Sequence, residues 1–304
     1  MKGTLLQAGE TEVARAYMKY RRARAQTRAR PERMKIEEIQ IRDPFILPDE
    51  AQGLYYLFGT TDPNCWNGPG QGFNCFKSRD LREWSGPAPA FKPPDGFWGT
   101  TNFWSPEVHR FNGRFYMFAS FKADKRYRGT QILASDSVMG PYLPLTDAPV
   151  TPPDWECLDG TFHIDRQGNP WIVFCHEWVQ VHNGAIYALR LSPDLKHSIG
   201  RPVFLFNASE ASWVLRPEWP NDESPRHFPV YGTDGPFLHR VAGGALLMLW
   251  SSCGNTGYAM GVARSETGDV TGPWQQAAEP LWARDGGHGM IFRAFDGRLF
   301  LTLH

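Results

Sequence analysis

From residue 36 onward, short hydrophobic runs alternate with tight polar turns in a repeating order. A polar-Pro or Gly opening leads into an apolar run, a turn follows, and a second run rich in aromatics comes after it. The first copy is Asp43-Pro44-Phe45-Ile46-Leu47 followed by residues 54–60. The second is Ser105-Pro106-Glu107-Val108-His109, the turn Asn112-Gly113, and 115–120. The third is Asp159-Gly160-Thr161-Phe162-His163-Ile164, the turn Gly168-Asn169, and 171–175. The fourth is Asp234-Gly235-Pro236-Phe237-Leu238, the turn Gly243-Gly244, and 246–251. The fifth is Gly287-His288-Gly289-Met290-Ile291-Phe292, the turn Asp296-Gly297, and 299–303. Asn-Gly and Asp-Gly between apolar runs are strong hairpin signals. Four copies run on into a third strand, as at 131–135, 186–191 and 258–264, and Gly-Pro-aromatic at 140–142 and 272–274 reads as an outer strand.

The openings fall near residues 43, 105, 159, 234 and 287. Repeats of roughly 50–75 residues with about four strands each predict a β-propeller. The chain is therefore expected to be all-β, a five-bladed β-propeller over 35–304. Its fifth blade stops after a second strand at His304 and is incomplete. A first strand over 36–41 is expected to contribute, although one strand cannot replace two.

Residues 1–34 have a different texture. Residues 10–30 are rich in Ala and Arg without an apolar stripe, which reads as a solvated helix or a disordered extension rather than a nucleic-acid arm. Met34 directly precedes the expected first strand and is a candidate translation start. The whole chain carries 32 Lys+Arg against 32 Asp+Glu. Residues 1–33 hold nine Lys+Arg and three Asp+Glu, so the zero total conceals a basic extension at +6 and a propeller at −6.

Composition excludes several classes. A large disordered chain has few apolar residues and high net charge, whereas 41% of this chain is hydrophobic. The longest apolar stretch, 245–250, is far shorter than a membrane span, so no membrane partner is expected. The five cysteines include no C-x-x-C pair, which argues against a disulfide framework or a zinc site. The start shows no secretory signal pattern, and a reducing, cytoplasmic setting is expected. Oligomeric state has no signature in the sequence.

The first strand of a propeller blade lines the central channel, so the residues opening those strands converge. Here they are Asp43, Glu107, Asp159, Asp234 and His288, and the third copy's second strand returns to the same face with His176-Glu177-Trp178. Each Asp alone is accounted for by turn capping. Together they suit metal binding or acid–base chemistry. Glycoside hydrolysis needs one protonated and one ionised carboxyl at the same pH. Trp104, Trp178 and Phe103 stand beside the acids and suit the C–H faces of a sugar, so the expected partner is a carbohydrate. Arg42 is expected to help keep Asp43 ionised, although strand alternation turns it outward.

The ordered set Arg42-Asp43-Pro44-Phe45, Phe103-Trp104-Ser105-Pro106-Glu107, Cys157-Leu158-Asp159-Gly160, Thr233-Asp234-Gly235-Pro236 and Gly286-Gly287-His288-Gly289-Met290 resembles glycoside hydrolase family 43 over 36–304. The resemblance implies a five-bladed glycosidase that acts on α-L-arabinofuranosides or β-xylosides with inversion. Asp43 then corresponds to the general base and Asp159 to the aspartate that tunes and orients the acid. The family's acid is usually a Glu opening the fourth blade, where this chain has Asp234. One methylene less shortens its reach by about 1.5 Å, enough to matter for proton transfer. Glu177 is the alternative acid, with Glu107 a third candidate that otherwise contacts sugar hydroxyls. The resemblance also implies a structural calcium or similar ion near His288, the alternative being a histidine bonded to the carboxylates. No organic cofactor is required. A catalytically inactive carbohydrate-binding propeller and a protein-interaction scaffold are the competing classes. The loops 62–73 and 207–227 are expected to carry sugar specificity.

Overall fold

A computed structural model describes residues 33–215 and 230–304. The expected helix at 10–30 and most of the 207–227 loop lie outside the described residues. Blade one contains β1 (Arg33–Lys35), β2 (Arg42–Asp49), β3 (Leu54–Thr60), β4 (Phe73–Ser78) and β5 (Glu83–Phe91), in the order β1-β5-β4-β3-β2. Blade two is β6 (Thr101–Phe111), β7 (Arg114–Ala123), β8 (Arg126–Ser135) and β9 (Leu143–Pro144). Blade three is β10 (Cys157–Ile164), β11 (Pro170–His176), β12 (Ala185–Leu191) and β13 (Ser198–Asn207). Blade four is β14 (Asp234–Arg240), β15 (Leu246–Gly254), β16 (Gly257–Ser265) and β17 (Gln275–Gln276). Blade five has two strands, β18 (Met290–Arg293) and β19 (Leu299–Thr302). All strand pairs within the blades are antiparallel. The repeat thus forms the expected propeller with its short fifth blade. Among the described residues, no helix is long and apolar enough to cross a membrane.

The beginning differs from expectation. Residues 36–38 form a 3-10 turn rather than a strand, closed by the Glu38 carboxylate accepting the Lys35 N–H at 2.6 Å. Arg33–Lys35 forms the strand instead, and it adds to the outer edge of blade one, not to blade five.

Second strands read as continuous apolar runs because both of their faces are covered. In β7, Tyr116 and Phe118 pack towards blade three with Ile172 and Phe174, while Met117, Ala119 and Phe121 pack towards blade one. In β11, Val173 and Cys175 face blade four and join Met248 and Trp250. The core is therefore a set of layers between neighbouring blades, and it excludes the two-sided polarity of a solvated sheet. Blade five closes against blade one through Met290 and Phe292. There Tyr55 stacks on Phe295 at 4.1 Å and accepts the Phe295 N–H at 2.9 Å.

Each blade opening carries the same local device. The register between first and second strands shifts after Arg42, Trp104, Leu158 and Asp234. The next residue has positive φ: Asp43 (52°), Ser105 (51°), Asp159 (56°) and Gly235 (50°), with His288 (47°) in blade five. Such an extra residue re-aims its side chain and frees its amide from the ladder. The freed amide then bonds across to the end of the preceding blade's second strand. Ser105 N–H donates to Thr60 Oγ1 (2.9 Å), Asp159 N–H to Ser120 Oγ (2.9 Å), His288 N–H to Ser251 Oγ (2.8 Å) and Asp43 N–H to His304 Nδ1 (3.0 Å). The equivalent residue of blade three is Cys175, and there the Gly235 amide goes to Asp159 Oδ2 at 3.0 Å instead.

This latch predicts a specific cost. Ser120→Ala leaves the Asp159 amide buried without an acceptor, a loss of about 1–3 kcal/mol. Urea denaturation should show a lower midpoint at unchanged slope. An unmoved midpoint would remove the latch from the account of blade docking.

Candidate active site

Two register positions at the blade openings build the pocket. The residues just before the shift include Arg42, Trp104, Leu158 and Asp234, and all four line it. The left-handed residues Asp43, Ser105, Asp159 and His288 line it as well. Thr60, Cys65, Trp66, Glu177, Trp178 and Tyr258 complete the wall. Six of the expected site residues therefore meet with His288 in one cavity: Asp43, Asp159, Asp234, Glu177, Trp104 and Trp178.

Two expectations are corrected. Phe103 is not at the sugar face. It is 1% exposed and packs against Phe73, Phe91, Phe97 and Phe121, because alternation along β6 turns it opposite to Trp104. Glu107 lies two residues past the bulge and outside the pocket lining, at the position of Phe45 and Thr161 in neighbouring blades. There it is bound to His109 Nε2 at 2.9 Å and accepts the Thr161 hydroxyl at 2.7 Å, as a partly buried carboxyl held by its neighbours.

Loop 62–73 brings the aromatic rim. Trp104 Nε1 donates to the Cys65 carbonyl at 2.8 Å, and Trp66 meets Trp104 edge-on at 5.1 Å between ring centres. Arg42 faces into the site after all, with its guanidinium over Trp66 at 5.2 Å. Arg128 is buried, pairs with Glu177, and lies 4.3 Å from the Trp104 ring centre. Glu177 itself follows β11 and precedes a single helical turn, Trp178–Val181.

The charges are arranged around His288. Its Nδ1 lies 3.3 Å from Asp43 Oδ1 and 3.6 Å from Asp159 Oδ2. Burial disfavours the imidazolium, but Asp43, Asp159, Asp234 and Glu107 outweigh it and raise the His288 pKa. Burial likewise works against the Asp43 carboxylate, yet His288, His304, the Thr60 hydroxyl and Arg42 bring its pKa below the usual carboxylate value. Asp159 is raised by burial and by Asp43, against His288 and two hydrogen bonds. Asp234 is pushed up to about 7 by burial first and then by Asp159, with Glu177 adding to the repulsion. Glu177 is raised by burial, which outweighs its Arg128 partner.

His288 was the expected ion ligand. A hard cation such as calcium takes six to eight oxygens. Among the described residues, no three His, Cys, Asp or Glu side chains gather into a metal-holding group, and His288 turns Nδ1 to two carboxylates as their counter-ion.

Thr60, Ser105, Tyr258, Trp66 and His304 are functional neighbours that the motif reading passed over. Ser105 Oγ donates to Asp159 Oδ1 at 2.7 Å, Thr60 Oγ1 to Asp43 Oδ2 at 2.5 Å, and Tyr258 OH to Asp234 Oδ2 at 3.2 Å. A signal for Thr60 alone was present: Gly59-Thr60, like Ala119-Ser120 and Trp250-Ser251, places a hydroxyl towards the end of an apolar second strand.

Known proteins share this chain's sequence pattern and its fold. The sequence pattern of Glycosyl hydrolases family 43 matches residues 36–304. The crystal structure of an endo-arabinase from Bacteroides thetaiotaomicron is 42% identical, covers 89% of this chain and 91% of its own, and superposes with a TM-score of 0.81. A thermostable family-43 glycoside hydrolase is 26% identical, with coverage of 87% and 83% and a TM-score of 0.71. Among curated proteins, the extracellular endo-alpha-(1->5)-L-arabinanase 1 of Bacillus subtilis is 20% identical over 157 residues, 45% of this chain. The chain spans about half the length of that curated relative, 49%.

The Asp234 shift has a consequence for stability. Its folded pKa of about 7 exceeds the ordinary 3.8, so ionisation burdens the folded state. That burden is absent below the ordinary value, grows as pH rises between the two, and is complete above the folded pKa. Asp234→Asn removes it, and the gain in Tm should be larger at about pH 8 than at about pH 4. An equal gain at both values contradicts the raised pKa.

Proposed function

The chain belongs to Glycosyl hydrolases family 43, and from that premise we propose that it cleaves α-L-arabinofuranosyl linkages of arabinan-type polysaccharides with inversion. The observation that carries the mechanism is a single aromatic-rimmed pocket holding one carboxyl below its ordinary pKa, Asp43, and another raised to about 7, Asp234. The choice of arabinan over β-xylosides follows the 42% identical endo-arabinase.

In this reading, Asp43 is the general base. It accepts a proton from the water that attacks the anomeric carbon. Asp234 is the general acid and protonates the departing glycosidic oxygen; the water's hydroxyl stays on the anomeric carbon, its proton stays on Asp43, and exchange with solvent returns that proton to Asp234. Tyr258 occupies Asp234 Oδ2, which leaves Oδ1 to carry the transferable proton. Asp159 has both oxygens engaged by donors, Ser105 on one and the Gly235 amide on the other, so it acts by charge: its repulsion helps keep Asp234 protonated. Glu177 is the weaker acid candidate because a buried guanidinium is paired to it, whereas Asp234 has only a phenol. Trp66, Trp104 and Trp178 supply apolar faces for sugar rings.

Release of reducing ends from debranched arabinan tests the reading directly. Asp43→Asn should reduce turnover by about 10²–10⁴-fold. Asp234→Asn should lose arabinan hydrolysis to a similar degree but keep activity on an aryl arabinofuranoside whose phenol leaves without protonation. If Glu177→Gln shows that leaving-group pattern instead, the acid is Glu177. Cleavage of xylan but not arabinan overturns the sugar, and binding without release on either identifies a carbohydrate-binding propeller.

The pH dependence has a definite sign. A base must be ionised and an acid protonated, so kcat/KM rises above the lowered pKa of Asp43 and falls as pH passes through about 7 with loss of the Asp234 proton. On the aryl substrate, Asp234→Asn should lose the alkaline fall. Its persistence would assign that limb to another group.

A further inference from the structure

Thr60 ends β3 at the latch position and is buried. Its Oγ1 accepts the Ser105 N–H at 2.9 Å and lies 2.5 Å from Asp43 Oδ2. An amide N–H only donates, so the hydroxyl is the acceptor in the first contact. Its single proton is then directed to the carboxylate in the second.

The corresponding serines accept an amide in the same way but do not hand their proton to a carboxylate. Ser120 Oγ takes the Asp159 amide, and Ser251 Oγ takes the His288 amide and bonds Tyr258. His304 reaches Asp43 from the far side and accepts its backbone N–H. Asp43 is thereby gripped at its amide by blade five and at its carboxylate by the end of β3. Among the described residues, the other charged or titratable groups that interact with it include Arg42 on its own strand, Asp159 of blade three, Tyr258 of blade four, His288 of blade five and Cys65 from loop 62–73.

We propose that Thr60 is a positioning residue for hydrolysis: its hydroxyl, turned by the Ser105 amide, fixes the direction of the Asp43 carboxylate and so of the water that Asp43 activates. This rests on the reading of Asp43 as the base. A hydroxyl donor to an ionised carboxylate also favours the charged form, so one contact both aims the base and keeps it ready. The blade-to-blade latch thereby becomes part of the catalytic geometry: a displaced blade two would reorient Thr60 and, through it, Asp43.

The test compares Thr60→Val, which keeps the shape and removes the hydroxyl, with Thr60→Ser, which keeps the hydroxyl. Thr60→Val should lower kcat about 10–100-fold, with KM within about twofold of the parent. Its acid limb should move to higher pH, since Asp43 loses a donor that favours ionisation. Thr60→Ser should restore both. A Thr60→Val protein with lower Tm but unchanged kcat and acid limb reduces Thr60 to a structural latch and overturns the proposal. Should valine prevent folding, Thr60→Ala is read by the same two criteria. Asp43→Asn is measured alongside. Full turnover there removes the premise, whereas loss there with an unaffected Thr60→Val removes the positioning role alone.

Discussion

The interaction on which the rest of this structure depends is the amide freed at each blade opening. A residue pushed out of the strand ladder exposes an N–H in the interior of the propeller, and a buried amide must be paired. Four of these amides find a side chain at the end of the preceding blade's second strand, and the ring closes from blade five to blade one through His304 and Asp43. Docking of the blades and aiming of the pocket side chains are therefore one event. The same left-handed backbone that offers the amide turns Asp43, Asp159 and His288 into the pocket. Asp and His tolerate that backbone better than β-branched residues do, so the local geometry already favours residue types able to carry acid–base chemistry.

The concentration of carboxyls has an electrostatic consequence that one histidine moderates. Asp43, Asp159 and Asp234 all feel His288, whose own charge they stabilise in return. Asp43 receives the most support, from two histidines, a hydroxyl and Arg42, and it alone of the three falls below its ordinary pKa. Asp234 sits nearest to repulsion with least relief and rises to about 7. The pocket thereby separates the protonation states of chemically identical side chains. This is the division of labour that acid–base hydrolysis requires, obtained from position alone.

The architecture was legible in the chain because its signals are local. Hairpin turns such as Asn112-Gly113 adopt positive φ at both residues, and the aromatic runs between them became the layered core. The convergence of Asp43, Asp159, Asp234 and Glu177 was equally readable from their places at strand ends. What failed were statements requiring side-chain direction near a bulge. Simple alternation puts Arg42 outside, and nearness in sequence groups Phe103, Trp104 and Glu107, but alternation turns Phe103 away from Trp104 and the register shift around Ser105 takes Glu107 out of the pocket. Residues 36–38 look like a strand by composition, yet the Glu38 carboxylate reaches back to the Lys35 amide and bends them into a turn. Thr60 and Ser251 are inconspicuous in sequence because their importance comes from partners in other blades.

Asp234 shows most clearly how this packing shapes the chemistry. In blades one and three the carboxylate occupies the left-handed bulge position. In blade four that position is Gly235, and the carboxylate comes one residue earlier, in register with Arg42, Trp104 and Leu158. The neighbour explains the displacement: a Cβ on Gly235 would lie 2.6 Å from the His288 ring, at a φ that already disfavours any other residue. The imidazole that balances the acids thus occupies the space a third bulge-borne side chain would need, and blade four supplies its acid from the preceding register position. Base and proposed acid are then not equivalents facing one another across the channel. Their spacing is set by backbone register as well as by side-chain length. A shorter aspartate in place of the glutamate that the family resemblance implies must therefore be judged against where the backbone places it, and here it is placed against Tyr258, which holds one of its two oxygens.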